Sequence, residues 1–279
     1  MCVRVGEDAY FVRRDGLGVA DGVGGWAHVV KGSNAALFSS RIMHHCAAQL
    51  DFFDDVTNEY NINEYYELDA VKLLQVACER TMEDAGKGAN RAVGSTTALI
   101  AFLRDDELRI ASLGDTSLLV MRNGHMIFRT EEQQHSFNFP YQLGSDSKDT
   151  PEKDAGNWAV KVREGDLVIL GSDGIFDNLF DEDILDIVNT HPHNHTPIPA
   201  QTHFTTIPRA RILRTDPHEI ANAVLARARD ISLDSGPTVT SPFQERAVKE
   251  GLYYQGGKPD DLTIVVGIVK IAEDSPDRR

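Results

Sequence analysis

Residues 95–130 read STTALIAFLRDDELRIASLGDTSLLVMRNGHMIFRT, and this stretch decides the fold class. Four apolar runs, at 95–104, 107–114, 117–122 and 125–130, are separated by Asp105-Asp106, by Asp115 within Gly-Asp-Thr, and by Asn123-Gly124. Such runs, bounded by Asp, Asn and Gly, read as a meander of strands. Asn-Gly is the strongest hairpin signal in the chain, because both residues tolerate the positive φ of a type I′ turn. Connections this short leave no room for a crossover helix, so the pairs are antiparallel. The same rule predicts a hairpin from WAVKV (158–162) and LVILG (167–171) around an REGD turn.

Working outward, AYFVRR (9–14) and LGVA (17–20) are two more strands around Asp15-Gly16. LTIVVGIVK (262–270) is a closing strand, apolar on both faces and therefore expected to be central. Residues 34–50 carry apolar groups three and four apart after Ser33, an expected N-cap, and predict a helix. Further helices are expected at 68–85, stopped by Gly86, and at 181–189, 217–233 and 242–250. Helices in blocks between runs of hairpins give an α+β class, with antiparallel sheet covered by helices. Residues 190–217, with His191, His193, His195, His203 and several prolines, read as an exposed insertion loop. A zinc or copper cluster is the alternative, although no adjacent carboxylates would orient the rings.

The 279 residues allow one large domain or two small ones. Asp and Glu number 43 against 28 Lys and Arg, a net charge of −15 with histidine neutral. That excess argues against a nucleic-acid groove or an anionic membrane as the main partner, and suits an enzyme that holds cations. Cys2, Cys46 and Cys78 are scattered without a CxxC spacing. They predict a reduced, intracellular protein with neither disulfides nor a thiolate zinc site. No apolar stretch is long enough to span a membrane. The opening MCVRVGEDAYF is not a targeting peptide. It enters a domain abruptly, as a truncated N-terminus would.

The acids fall at strand ends. Glu7-Asp8 precede the first strand and Asp21 follows the second. Asp115 sits between two strands, Asp173 and Asp177 follow LVILG-S, and Asp260-Asp261 precede the last strand. If they converge on one edge, they form the all-oxygen site that magnesium and manganese favour. Two carboxylates about 4 Å apart repel by about 4 kcal/mol at an effective dielectric near 20, so convergence calls for a cation. For any single Asp, a turn or cap role is the simpler explanation. The glycines of DGVGG (21–25) let backbone approach an ion or phosphate closely. No Walker A, HExxH or G-x-S-x-G sequence is present.

GEDAYF (6–11), GVADGVGGW (18–26), GSTTAL (94–99), SLGDTS (112–117), ILGSDGIFDNL (169–179) and KPDDLTIVV (258–266) occur in the order of the protein phosphatase 2C motifs. The chain resembles that family of metal-dependent serine/threonine phosphatases over nearly its whole length. EQQHSFNFPYQLG (132–144), SPFQERA (241–247) and GGKPDD (256–261) resemble its mitochondrial branch, linked to coenzyme Q biosynthesis. The resemblance implies a single catalytic domain over 1–279, a four-layer α-β-β-α sandwich of two antiparallel sheets flanked by helices. It implies two manganese or magnesium ions, with a weaker third. Asp21 would bridge both ions, and the Gly22 carbonyl would be a further ligand. Asp173 and Asp260 would bind one ion, Glu7 and Asp8 would act directly or through water, and Asp115 and Asp177 would serve the third. The implied reaction is hydrolysis of phosphoserine or phosphothreonine in phosphoprotein substrates by a water bridging the ions, without a phosphoenzyme. A monomer is expected, with a mitochondrial location implied by the branch.

Two positions depart from the family pattern. Val23 stands where many members carry a histidine that protonates the leaving group, with His28 a nearby substitute. Arg4, expected to contact phosphate, lies three residues before Glu7 instead of four. A catalytically silent phosphoprotein-binding module of the same fold is the alternative.

Overall fold

Alternation along the strands creates two sheets and three apolar layers. The computed structural model describes residues 2–28, 31–54, 65–86, 92–190 and 216–271, so most of the expected insertion loop, including His191, His193, His195 and His203, lies outside the described residues. The first sheet runs β1 (Cys2–Val5), β2 (Asp8–Val12), β3 (Gly16–Ala20), β5 (Ala98–Arg104), β6 (Glu107–Leu113) and β12 (Gly156–Lys161). The second runs β14 (Ile264–Ile268), β13 (Leu167–Gly171), β7 (Ser117–Arg122) and β8 (His125–Arg129). Two short pairs complete the strands: β4 (Ser95–Thr96) with β11 (Leu143–Gly144), and β9 (Gln134–Ser136) with β10 (Phe139–Pro140). Each of these pairings is antiparallel.

The helices are α1 (Ala35–Asp54), α2 (Ala70–Ala85), α5 (Asp181–Thr190), α6 (Pro217–Ser232) and α7 (Pro242–Lys249), with single turns α3 (Pro151–Asp154) and α4 (Asp173–Phe176). On β5, Ala98, Ile100 and Phe102 pack with Ile42, Met43 and Leu50 of α1 and Leu73 and Leu74 of α2. The alternate residues Leu99 and Ala101 meet Leu118, Val120, Val168 and Leu170 of the other sheet. The outer face of that sheet, Leu119, Met121, Leu167 and Ile169, packs with Ile184, Ile220, Val224 and Ala228 of α5 and α6. The result is the four-layer α-β-β-α sandwich. Each fully buried large side chain in it contributes about 1.5–3 kcal/mol.

Four local expectations change. The meander is split, because β6 ends in the first sheet and β7 begins in the second. Gly114, at φ +109°, and Asp115 form the crossing point. The 158–162/167–171 hairpin does not form: β12 pairs with β6, while β13 lies between β7 and β14. The REGD turn carries the chain between sheets instead of along one. β14 is an edge strand, not a central one. It is apolar on both faces because Ile264, Val266 and Ile268 face the α6 layer while Val265 faces the first sheet. The cap of α1 is Asn34, whose Oδ1 accepts from the Leu37 N–H at 2.9 Å, not Ser33.

Candidate active site

Strand ends and the sheet crossing bring the acids to one edge of the sandwich. Glu7, Asp21, Gly22, Asp115, Asp173 and Asp260 line a single cleft of about 780 Å³, together with Val23, Trp26 and Lys258. Asp8, at the start of β2, and Asp177, at the end of α4, are buried and do not line it. Arg4 is exposed on β1, outside the lining residues. The side chain of His28 lies outside the described residues.

Backbone contacts fix these positions. The Asp21 carbonyl accepts from the Thr97 N–H and the Thr96 hydroxyl, each at 2.8 Å, and the Asp21 N–H donates to Thr97 Oγ1 at 3.0 Å. The paired threonines of GSTTAL therefore hold the loop after β3. The Glu7 N–H donates to Asp261 Oδ2 at 2.8 Å, tying the β1–β2 turn to the segment before β14. Asn178 accepts from the Lys258 N–H (2.8 Å), and its Nδ2 donates to the carbonyls of Lys258 (2.9 Å) and Gly174 (2.8 Å). This clamp sets Asp173 beside Asp260. Gly174 makes it possible, since a Cβ there would sit 2.0 Å from the Asp261 carbonyl oxygen.

Burial and crowding make the carboxylates hard to ionise. Burial pushes Asp8 up to about 7, opposed by nearby Thr263 and Ser172 hydroxyls and reinforced by Asp173. Asp115 is pushed up to about 7 by burial and by Asp173, although Gln134 Nε2 donates to its Oδ2 at 3.0 Å. Asp21 rises well above the usual carboxylate range through burial and repulsion from Asp173 and Asp8. Asp260 is raised by burial and by Asp173. Asp173 alone is lowered: burial opposes its charge, and the Lys258 ammonium outweighs that. Lys258 Nζ lies 2.5 Å from Asp173 Oδ2, 2.6 Å from Asp177 Oδ2 and 3.1 Å from Asp260 Oδ2.

The donor set fits a divalent cation. It is all oxygen, and both oxygens of Asp8 and Oδ1 of Asp173 are buried without a hydrogen-bond partner. Hard cations take such oxygens, and a buried unpaired carboxylate is otherwise costly. Among the described residues, no three Asp, Glu, His or Cys side chains stand ready-grouped around a metal position. One oxygen of each of Asp173, Asp177 and Asp260 turns instead to Lys258.

The opposite wall is the 134–149 segment. The His135 ring stacks on Tyr141 with centroids 4.1 Å apart, and its Nε2 pairs with Asp149 at 2.9 Å. Trp26 Nε1 donates to Ser95 Oγ at 2.5 Å. Sequence reasoning missed the roles of Lys258, Arg246, Gln134 and Trp26. The available signal was a lysine two residues before Asp260 in a stretch otherwise rich in acids and glycine.

Residues 5–213 match the family model described as Protein phosphatase 2C. The chain belongs to the protein phosphatase 2C family. A curated relative, "Protein phosphatase PTC7 homolog fig" of Drosophila willistoni, is 34% identical over 97% of this chain and 79% of its own length. "Probable protein phosphatase 2C 80" of Arabidopsis thaliana is also 34% identical, over 95% of this chain. The chain spans 54% of that plant protein and 40% of the rice protein BIPP2C1. Among solved structures, the photosystem II phosphatase PBCP is 32% identical with a TM-score of 0.72, covering 97% of both chains. The catalytic domain of the serine threonine protein phosphatase PstP, solved with 2 manganese ions, shares the fold at 18% identity and a TM-score of 0.54, covering 95% of this chain and 94% of its own. Membership in the protein phosphatase 2C family accounts for the sandwich and for acids gathered at its edge.

Proposed function

We propose that residues 1–279 form one catalytic domain that hydrolyses phosphoserine and phosphothreonine in proteins with two manganese or magnesium ions. The observation that carries this is the cleft shared by Asp21, Asp173 and Asp260, backed by the unpartnered oxygens of Asp8. Asp21, Asp173, Asp260 and the Gly22 carbonyl would hold the cations, with Glu7 and Asp8 beside them. Bound there, the two ions would lower the pKa of water and offset charge on the transferring phosphoryl group.

The chain's own residues do the positioning. Thr96 and Thr97 fix the Asp21 backbone, and the Asn178 clamp fixes Asp173 against Asp260. Val23 lines the cleft and donates no proton, so the leaving alkoxide takes its proton from water or from another group. Trp26 and the 134–149 segment wall the side on which substrate would enter. We also place the chain in the mitochondrial branch, supported by the PTC7 homologues among its relatives; finding the full-length natural protein outside mitochondria removes that assignment.

The test is Asp173→Asn assayed on p-nitrophenyl phosphate. Replacing even an outer partner of a metal ligand typically costs about 10–100-fold, so a ligand should cost more. Expected is a loss of roughly a hundredfold or more with the circular dichroism spectrum unchanged. Unaltered turnover removes Asp173 from the mechanism. A wild-type protein that binds manganese and phosphopeptide without chelator-sensitive hydrolysis is the silent binding module instead.

A further inference from the structure

Lys258, on the cleft wall, touches three acids at once, Asp173, Asp177 and Asp260. Its side chain is only 13% exposed. Its backbone is pinned on both sides by Asn178, and its ammonium lies 5.1 Å from the Phe243 ring centroid on α7. The other oxygen of Asp177 is taken by Arg246 of α7, whose Nη1 also donates to Glu132 Oε2 at 2.7 Å. Both oxygens of Asp177 are thus paired with charges fixed to the fold. Asp8, by contrast, has both oxygens buried and unpaired.

We propose that Lys258 is a built-in cation: it holds Asp173 and Asp260 together before metal arrives, and with Arg246 it closes the Asp177 corner to a divalent ion. This rests on the two-ion reading above. The physical reason is geometric. Magnesium sits about 2.0–2.1 Å from its oxygen ligands. An ion that close to Asp177 Oδ2 would crowd an ammonium already 2.6 Å from the same oxygen, and like charges repel most strongly where water is excluded. Asp173, whose Oδ2 the ammonium also holds, differs in keeping its Oδ1 unpaired and open to an ion. One fixed positive charge also offsets part of the repulsion among the acids without filling the positions around Asp8 and Asp21. Lys258 is therefore a positioning residue: it acts on the ligands and sets how many ions the edge accepts. The expected third ion at Asp115 and Asp177 is replaced by side chains of the protein itself.

The test is manganese binding to metal-stripped full-length protein, read as stoichiometry by calorimetry and as melting temperature with and without the ion. Wild type is expected to bind two ions. Lys258→Met, which keeps length and removes charge, should melt lower when metal-free, recover with manganese, and take up an additional weak ion. Lys258→Arg should restore the wild-type stoichiometry, and adding Asp177→Asn to Lys258→Met should abolish the extra ion. A Lys258→Met protein that matches wild type in stoichiometry and metal-free melting overturns the proposal while leaving the two-ion reading intact. A wild type that binds no manganese overturns that reading itself. Should Lys258→Met fail to fold, Asp177→Asn alone decides: unchanged stoichiometry supports the proposal, and the loss of one ion overturns it.

Discussion

At Gly174 the absence of a side chain sets the spacing of two loops. The Asp261 carbonyl passes so close that a methyl group would overlap it, and Asp173 and Asp260 flank that contact. Gly174→Ala must push the 260–261 segment away. The expected outcome is weaker manganese binding, lower kcat/KM and about 1–3 kcal/mol of lost stability, the usual cost of overpacking. Isothermal titration and urea denaturation measure the two effects, and a variant that binds manganese as wild type does contradicts this role for Gly174. At this scale the acids were legible in the sequence, because each lies where an apolar run ends beside Gly or a turn. Lys258 was not: two residues from an acid, a lysine reads as ordinary surface charge. Only folding shows that its ammonium is enclosed by three carboxylates, two from the α4 turn (Asp173 and Asp177) and one from its own segment (Asp260).

Among the elements, β5 ends in an unusual way. Arg104 is 2% exposed, donates to Asp15 Oδ2 at 2.8 Å and to the Tyr65 carbonyl at 3.1 Å, and lies 4.0 Å from the Tyr65 ring centroid. Removing the Arg104 side chain opens a cavity and takes one partner from Asp15, which keeps Arg13 Nε at 3.1 Å. Arg104→Ala is expected to lose about 3 kcal/mol of stability, read as a lower urea midpoint with an unchanged slope; an unchanged midpoint contradicts it. Strand and helix identity was readable from period alone, since two-residue alternation and the three-and-four spacing are different signals. Partnership was not readable. A turn of given length after an alternating strand leads equally well back along the same sheet or across to a facing one. That ambiguity split β6 from β7 and β12 from β13. Likewise, two apolar faces on β14 record layers above and below, which an edge strand inside a sandwich has as surely as a central one.

For the whole molecule, stability is tied to the charge at one edge. Without metal, Asp8 and Asp115 keep their protons up to about pH 7, whereas in the unfolded chain they lose them near the ordinary carboxylate value. Between those points the folded state binds more protons, so raising the pH favours unfolding. Metal-free protein is therefore expected to melt higher at pH 6 than at pH 8. Manganese should raise the melting temperature more at pH 8, where the carboxylates are free to bind it. A metal-free melting temperature that rises across that interval contradicts the placement of these buried acids.

The most direct test of metal-dependent hydrolysis at this edge is phosphate release from a phosphoserine peptide by chelator-stripped protein titrated with manganese. The expected result is negligible release without metal, saturable recovery as manganese is added, and no recovery in Asp173→Asn. Full-rate release after complete removal of metal would contradict it.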